Sequence, residues 1–144
     1  MALEENKALF RRWFEEVVNQ NDYSVVEELL APGYRAHFPG APEPIDRDGH
    51  RGMVELFAAA FPDWSESIQD VVAEGDRVVL RMTAGGTWEG EFQGMAPTGK
   101  TVSITGMGIA RIEDGQIAES WWEFDAMGLM QQLGAIPAPE GATP

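Results

Sequence analysis

Two histidines, His37 and His50, are the side chains whose ordinary pKa lies nearest to neutral pH in this sequence. His37 belongs to the run YRAHFP, which predicts a short strand that ends at the edge of a pocket. An imidazole in that position can remove a proton from a bound molecule, so we predict His37 as the catalytic general base. The alternative is a strand-end histidine that bonds the backbone of the next loop.

His50 falls in the first turn of a predicted helix, where the helix dipole disfavours a protonated imidazole. The two histidines and Asp46 or Asp48 could share a metal ion, but no HxH or HxxxH spacing supports such a site. We therefore predict no metal and no cofactor. The sequence also has no cysteine, which excludes disulfides, a thiolate nucleophile and cysteine metal ligands.

Several other charged side chains have structural explanations. Asp125 precedes the last predicted helix and is interpreted as its N-cap, while Asp63 is expected to begin a turn. Arg81 is expected to pair with Glu119 or Glu123 across a sheet, the alternative being a contact to an anionic substrate. An Asp–Arg–Asp set of the epoxide-hydrolase kind would need two inward acids beside Arg81, and the strand pattern offers no obvious pair.

Composition restricts the class of protein. The chain has 144 residues, of which 44% are hydrophobic, enough for one domain with a packed core. Asp and Glu total 24 against 10 Lys and Arg, and the net charge of -14 disfavours nucleic acid and anionic membrane surfaces as partners. No apolar run approaches the roughly 20 residues of a membrane helix. Together with the absent cysteines, this predicts a cytoplasmic protein.

The first half of the sequence carries helical patterns. Phe10, Trp13, Phe14 and Val17 recur at the spacing of one helix face and predict a helix over residues 3–20. We predict three further elements before residue 62: a short helix beginning at Asp22 or Ser24 and ended by Pro32-Gly33, a strand over residues 34–38, and a helix over residues 48–60 with Met53, Leu56, Phe57 and Ala60 inward.

The second half carries strand patterns. We predict strands over residues 65–73, 77–88, 101–112 and 116–124, followed by a short helix that ends at Gly134. The pair Gly85-Gly86 suggests a bulge or bend in the second of these strands. The run Glu113-Asp114-Gly115 predicts a tight hairpin between the last two.

Helices followed by a meander of long strands predict an α+β fold. We expect a cone-shaped, curved antiparallel sheet wrapped around the N-terminal helices, with a ligand pocket in its interior. The domain is expected over residues 1–135. The Pro-, Gly- and Ala-rich run 136–144 is expected to be a flexible C-terminal tail.

Several phrases of the sequence carry a family resemblance: NKALFRRWFEEVVNQND, ELLAPGYRAHFPG, AAFPDW, VVAEGDRVVLRMTAGGTWEGEFQGMAPTGK, RIEDGQIAESWWEFD and GLMQQLG. In this order, over residues 5–134, the chain resembles SnoaL-like polyketide cyclases and the related ester cyclase group of the nuclear-transport-factor-2-like superfamily. The resemblance implies the curved α+β fold. It also implies a cofactor-free aldol ring closure in which a pocket carboxylate moves the proton and a histidine on the neighbouring strand assists.

Those two family positions fall on Trp122 and Gly108, and neither side chain can transfer a proton. Period-two alternation places Gly106 and Ala110 on the same face as Gly108, so the strand leaves a trough that a tryptophan can occupy. One interpretation is a pocket filled and narrowed by Trp122. The other is an aromatic platform for a flat ligand.

Ten residues are predicted to line the pocket, and most of them are aromatic. They are Phe14, Tyr34, Met53, Phe57, Phe61, Trp88, Gly108, Ser120, Trp122 and Phe124. Such a wall suits an apolar small molecule, and the glycine-rich segment 88–97 could form a lid over it.

Three functions follow as hypotheses. The first is a polyketide-cyclase-like lyase or isomerase acting on an apolar carbonyl compound. The second is a non-catalytic binder of a hydrophobic ligand. The third is a dimeric assembly protein, in which the convex sheet face, with Met107, Ile109, Trp121 and Glu123, meets a second copy. We expect a homodimer through that face in each case, because an uncovered Trp121 would leave an apolar patch.

Overall fold

The structure is a computed structural model that describes residues 2–137. Its helices are α1 (Ala2–Arg12), α2 (Val26–Leu29), α3 (Arg47–Ala60) and α4 (Ala126–Leu133), and its strands are β1 (Leu30–His37), β2 (Ser65–Glu74), β3 (Arg77–Thr87), β4 (Thr101–Glu113) and β5 (Gln116–Phe124). The predicted tail lies outside the described residues from 138 onward. No helix within residues 2–137 is both long and apolar enough to cross a membrane.

The five strands form one curved, open sheet in the order β1-β5-β4-β3-β2, with the helices on its inner face. This confirms the α+β fold. Three strand pairs are antiparallel as predicted, but β1 runs parallel to β5. Because β1 leads into α3 and not into a hairpin with its partner, no tight turn imposes the antiparallel direction on this pair.

The long strands β3, β4 and β5 keep the predicted alternation of faces. The hairpin between β4 and β5 turns at Asp114 and Gly115, whose φ values of 52° and 76° are those of a tight two-residue turn. Of the bulge or bend suggested at Gly85-Gly86, the bulge is wrong, since the β3–β4 register runs unbroken there and the irregularity lies in β2, between Ile68 and Asp70.

The N-terminal helix changes its geometry halfway. After α1, residues Trp13–Val18 form a π-helix, in which the amide of Asn19 donates to the carbonyl of Phe14 at 2.9 Å. A π turn aligns residues five apart, whereas the α-helix predicted over residues 3–20 aligns those three and four apart. Trp13 and Val18 are therefore brought to the same side, and both contact the cavity described below.

The region between α2 and α3 differs most from prediction. Pro32-Gly33 does not end a helix, because β1 already begins at Leu30 and the pair lies in its irregular first half. Proline is tolerated there because β1 is an edge strand. In α3, capped by Asp46, the prediction that Leu56 faces inward is wrong: its side chain is 70% exposed because the buried stripe runs through His50, Phe57 and Ala60.

Candidate functional site

A small apolar cavity lies between the sheet and the helices. Its volume is about 90 Å³, and its walls carry almost no polar surface. It is lined by Trp13, Val18, Phe38, His50, Met53, Val54, Phe57, Ala58, Trp64, Glu66, Met82, Ala84, Ile104, Thr105, Trp122 and Phe124. The lining joins the two groups of buried side chains in the core, one around Trp122 and one around Phe61.

Four of the residues predicted to line the pocket do so: Met53, Phe57, Trp122 and Phe124. Of the others, Gly108 borders the outer groove, and the remaining five are buried in the core. Phe14, Tyr34 and Ser120 are fully buried with Trp122, whereas Phe61 and Trp88 belong to the second core group. The segment predicted as a lid is tied down, since the amides of Glu89 and Gly90 both donate to the carbonyl of Ala60.

Trp122 occupies the glycine trough of β4. The register places it opposite Gly108, and a Cβ added to that glycine would lie only 2.6 Å from the indole ring. The ring also packs at 5.6 Å and 5.7 Å from the rings of Phe14 and Phe10. Trp122 thus fills the trough with one part of its surface and bounds the remaining cavity with another.

His37 lies on the opposite, outer face of the sheet. Its Nε2 atom is 2.7 Å from a carboxylate oxygen of Glu119, and its ring stacks on Trp121 at 5.4 Å. The hydrogen bond from His37, with a second from Arg111, holds the pKa of Glu119 below its usual range. His37 therefore borders an outer groove and not the interior cavity.

The two histidines face opposite sides of the sheet and do not converge on a common ligand. Within residues 2–137, no group of three His, Asp or Glu side chains is arranged to hold a metal ion.

Asp125, Asp63 and Arg81 each have a hydrogen-bond or ion-pair partner within the fold. Asp125 caps α4 as predicted, accepting a hydrogen bond of 2.8 Å from the amide of Gly128. Asp63 accepts from the amide and the hydroxyl of Thr87. Arg81 pairs with Asp70, at 2.6 Å, and not with Glu119 or Glu123 as predicted, because the β2–β3 register sets Asp70 directly opposite it.

Glu66 contacts the cavity with an acidic side chain, although it is not among the site residues predicted from the sequence. Trp64 donates an indole hydrogen bond of 3.1 Å to its carboxylate. The side chain of Asn19 fixes the backbone of Glu66, accepting from its amide at 2.7 Å and donating to its carbonyl at 2.9 Å. The residue as a whole is half-buried because β2 is an edge strand, and it borders the apolar cavity.

Burial is the main influence on this carboxyl. Loss of solvation raises the pKa of Glu66 from 4.5 to about 7, and the hydrogen bond from Trp64 opposes that rise only in part. The strand pattern contained the signal, because Glu66 alternates in phase with Ile68, which packs on the core. A group that titrates near neutral pH inside an apolar cavity can both accept and return a proton.

A buried chain of hydrogen bonds ends at His50. The indole of Trp122 donates to the Ser120 hydroxyl at 2.8 Å, that hydroxyl lies 2.6 Å from the Tyr34 hydroxyl, and Tyr34 lies 2.8 Å from Nδ1 of His50. Burial raises the pKa of Tyr34 and lowers that of His50 to about 3. His50 is therefore a neutral imidazole at physiological pH.

Comparison with known proteins gives one family. The model of the SnoaL-like polyketide cyclases matches residues 8–133 of this chain. The chain belongs to the SnoaL-like polyketide cyclase family. Family and fold together support a small-molecule-binding role of the cyclase or isomerase kind. No curated protein matches the chain.

Solved structures agree with the family assignment. IdmH from Streptomyces antibioticus is 34% identical, with a TM-score of 0.80 over 90% of this chain and 98% of its own. TsrD from Streptomyces laurentii is 32% identical, with a TM-score of 0.80 over 92% and 97% of the two chains. AclR from Streptomyces galilaeus is 29% identical, with a TM-score of 0.85 over 96% and 87%. The SnoaL-like architecture therefore extends over nearly the whole chain.

Proposed function

We propose that this SnoaL-like protein is a cofactor-independent cyclase or isomerase that binds an apolar carbonyl compound in the interior cavity and moves its proton with Glu66. The observation that carries the proposal is the position of the Glu66 carboxyl, which borders an apolar cavity and has a pKa of about 7. A carboxyl with this pKa is ionised often enough to act as a base and protonated often enough to act as an acid.

The chemistry balances without a further reactant. The Glu66 carboxylate takes a proton from the carbon beside the carbonyl, the C–H bond breaks, and the electron pair becomes an enolate. In an isomerisation, the carboxylic acid returns the proton to another carbon. In a ring closure, the enolate carbon forms a bond to a second carbonyl carbon, and Glu66 protonates the resulting alkoxide.

His37 is the catalytic base predicted from the sequence, so a His37 variant is the control for a Glu66 variant. It borders the outer groove, where its imidazole is hydrogen bonded to Glu119, whereas Glu66 borders the cavity. Proton transfer inside the cavity should therefore depend on Glu66 and not on His37.

Exchange of carbon-bound hydrogen for deuterium tests the proposal without knowledge of the natural substrate. Aryl methyl ketones, beginning with acetophenone, are incubated with the protein in D₂O, and loss of the methyl signal is followed by proton NMR. We expect exchange faster than in buffer, a fall of about 100-fold or more in Glu66→Gln, and an unchanged rate in His37→Ala. Exchange that survives in Glu66→Gln, or that is no faster than buffer with every ketone, contradicts the proposal.

A second candidate function is non-catalytic binding of a hydrophobic ligand. It is favoured by one observation, that the two positions at which the family resemblance implies an acid/base pair are Trp122 and Gly108. The same experiment separates the two functions. A ketone that shifts the tryptophan fluorescence in a saturable way but exchanges no hydrogen supports the binder.

We also propose that the outer sheet face joins two copies of the chain. Met107 is 48% exposed there, beside the half-buried Ile109 and Trp121, along a groove of about 340 Å³. The ring of Trp121 is partly covered by His37 and by the guanidinium of Arg77, at 4.8 Å, so the apolar area is smaller than sequence analysis expected. A cytoplasmic location is proposed on the cysteine-free sequence alone.

A further inference from the structure

We propose that His50 is a second catalytic residue, whose Nε2–H donates a hydrogen bond to the substrate carbonyl oxygen and stabilises the enolate that Glu66 generates. The inference rests on the proposed function, because it concerns the same cavity and the same reaction. Proton removal beside a carbonyl places negative charge on the oxygen, and a fixed donor directed at that oxygen lowers the barrier.

The first support is the position of the imidazole. His50 is only 4% exposed and contacts the cavity. Its Nδ1 atom is occupied by Tyr34, whereas no described residue is a hydrogen-bond partner of Nε2. Within residues 2–137, every fully buried side-chain nitrogen or oxygen has a partner, so Nε2 is not completely enclosed. His50 borders the cavity, and we infer that Nε2 faces a molecule bound there.

The second support is the donor and acceptor of each hydrogen bond in the buried series from Trp122 to His50. An indole nitrogen can only donate, so Trp122 donates to Ser120. If Ser120 then donates to Tyr34 and Tyr34 donates to Nδ1, each proton has an acceptor, and the ring proton of His50 is on Nε2. The reverse order would leave the buried Ser120 proton without an acceptor among the described residues, which is unfavourable for a buried hydroxyl.

The third support is the charge state. The imidazole is surrounded by aromatic rings, with ring centres at 4.5 Å for Trp13, 5.2 Å for Phe38 and 5.7 Å for Trp122. This burial keeps His50 neutral, as its lowered pKa indicates. A neutral imidazole is a donor that does not surrender its proton to an enolate, and such imidazoles polarise carbonyls in enolising enzymes.

The ring proton can be located in the ligand-free protein. Two-bond ¹H–¹⁵N correlation spectra of uniformly labelled protein distinguish the two tautomers of each histidine. We expect His50 to carry its proton on Nε2 from pH 5 to pH 8, and we expect Tyr34→Phe, which removes the hydroxyl donor to Nδ1, to give a mixture of tautomers. A wild-type spectrum with the proton on Nδ1, or with a charged ring, overturns the inference.

The carbonyl stretch of bound ¹³C-labelled acetophenone tests the contact itself. We expect the band to lie at lower frequency than in an apolar solvent, to return to the solvent value in His50→Phe, and to stay low in Glu66→Gln. The deuterium exchange rate should fall about 100-fold in His50→Phe. A band that stays low in His50→Phe overturns the role of His50, whether or not Glu66 is required. Exchange that persists in Glu66→Gln overturns the proposed function and leaves the band as the test of His50.

Discussion

Folding raises the pKa of Glu66 and lowers the pKa of His50. Both shifts make the free energy of unfolding depend on pH. The folded protein keeps the Glu66 proton up to a pKa of about 7, while the unfolded chain releases it near 4.5, so the free energy of unfolding falls as pH rises between these values. His50 has a folded pKa of about 3 against 6.5 unfolded, so its contribution is lost as pH falls from 6.5 towards 3. Between about pH 4.5 and 6.5 the two contributions offset each other.

Replacing Glu66 separates these contributions. In Glu66→Gln, the stability relative to wild type should increase as pH rises from about 4.5 to 7 and then stay constant, because the variant has no carboxylate to desolvate. The increase should reach roughly 1–3 kcal/mol, the lower figure allowing for partial exposure of the residue. Urea unfolding at several pH values measures it, with the exposed Glu74→Gln on the same strand as the control. A difference that is independent of pH would show that the Glu66 carboxyl is solvated.

Gly108, in the glycine trough of β4, leaves the space that the Trp122 ring of β5 fills. In Gly108→Ala, the new Cβ would lie 2.6–2.7 Å from atoms of the Trp122 ring, so the indole has to move towards the cavity or the strands have to separate. We expect a loss of about 1–3 kcal/mol in the free energy of unfolding and a changed tryptophan emission spectrum. Gly33→Ala in β1 is the matched control, since nothing lies within 4 Å of its added Cβ. Equal stability of the two variants would disprove the close packing.

The helices, strands and turns that depend on one local sequence pattern could be predicted from the sequence. Strand β5 and the β4–β5 hairpin follow from alternation and from Asp114-Gly115, and the cap of α4 follows from Asp125. The π-helix could not be predicted, because apolar residues occur at four-residue and five-residue spacings alike around Trp13. The parallel pairing of β1 was equally hidden, since it depends on which sheet edge remains free after the three long hairpins form.

The candidate site was partly predictable for the same reason. The aromatic wall containing Phe57 and Trp122 follows from the periodicity of α3 and β5. The role of Glu66 depends on the phase of β2, which Ile68 indicates, but the register shift after Ile68 places Val71 and Ala73 in the opposite phase. Motif and position predict His37 and His50 as candidates, but their different surroundings come from the alternation of β1 and from the tertiary contacts of α3.

For the whole molecule, the net charge of -14 affects assembly. Two copies that meet through the outer face carry like charges, so added salt should screen their repulsion and strengthen the proposed dimer. Sedimentation velocity at low salt and at about 0.5 M NaCl measures this. Met107→Lys should weaken the dimer, because it places a charge in the centre of the proposed interface, whereas Leu56→Lys on α3 should not. A monomer at every salt concentration would contradict the dimer proposal.

The location of the Glu66 carboxyl on β2, at the far edge of the sheet from β5, also bears on stereochemistry. The resemblance to polyketide cyclases places their carboxylate at the position of Trp122, on β5. A flat substrate that stacked on Trp122 with one face and met Glu66 with the other would offer one prochiral face to β5 and the other to β2. Removal or return of a proton from the β2 side would then give the configuration at the reacting carbon that is opposite to the one given from the β5 side. The fold would be the same in both cases.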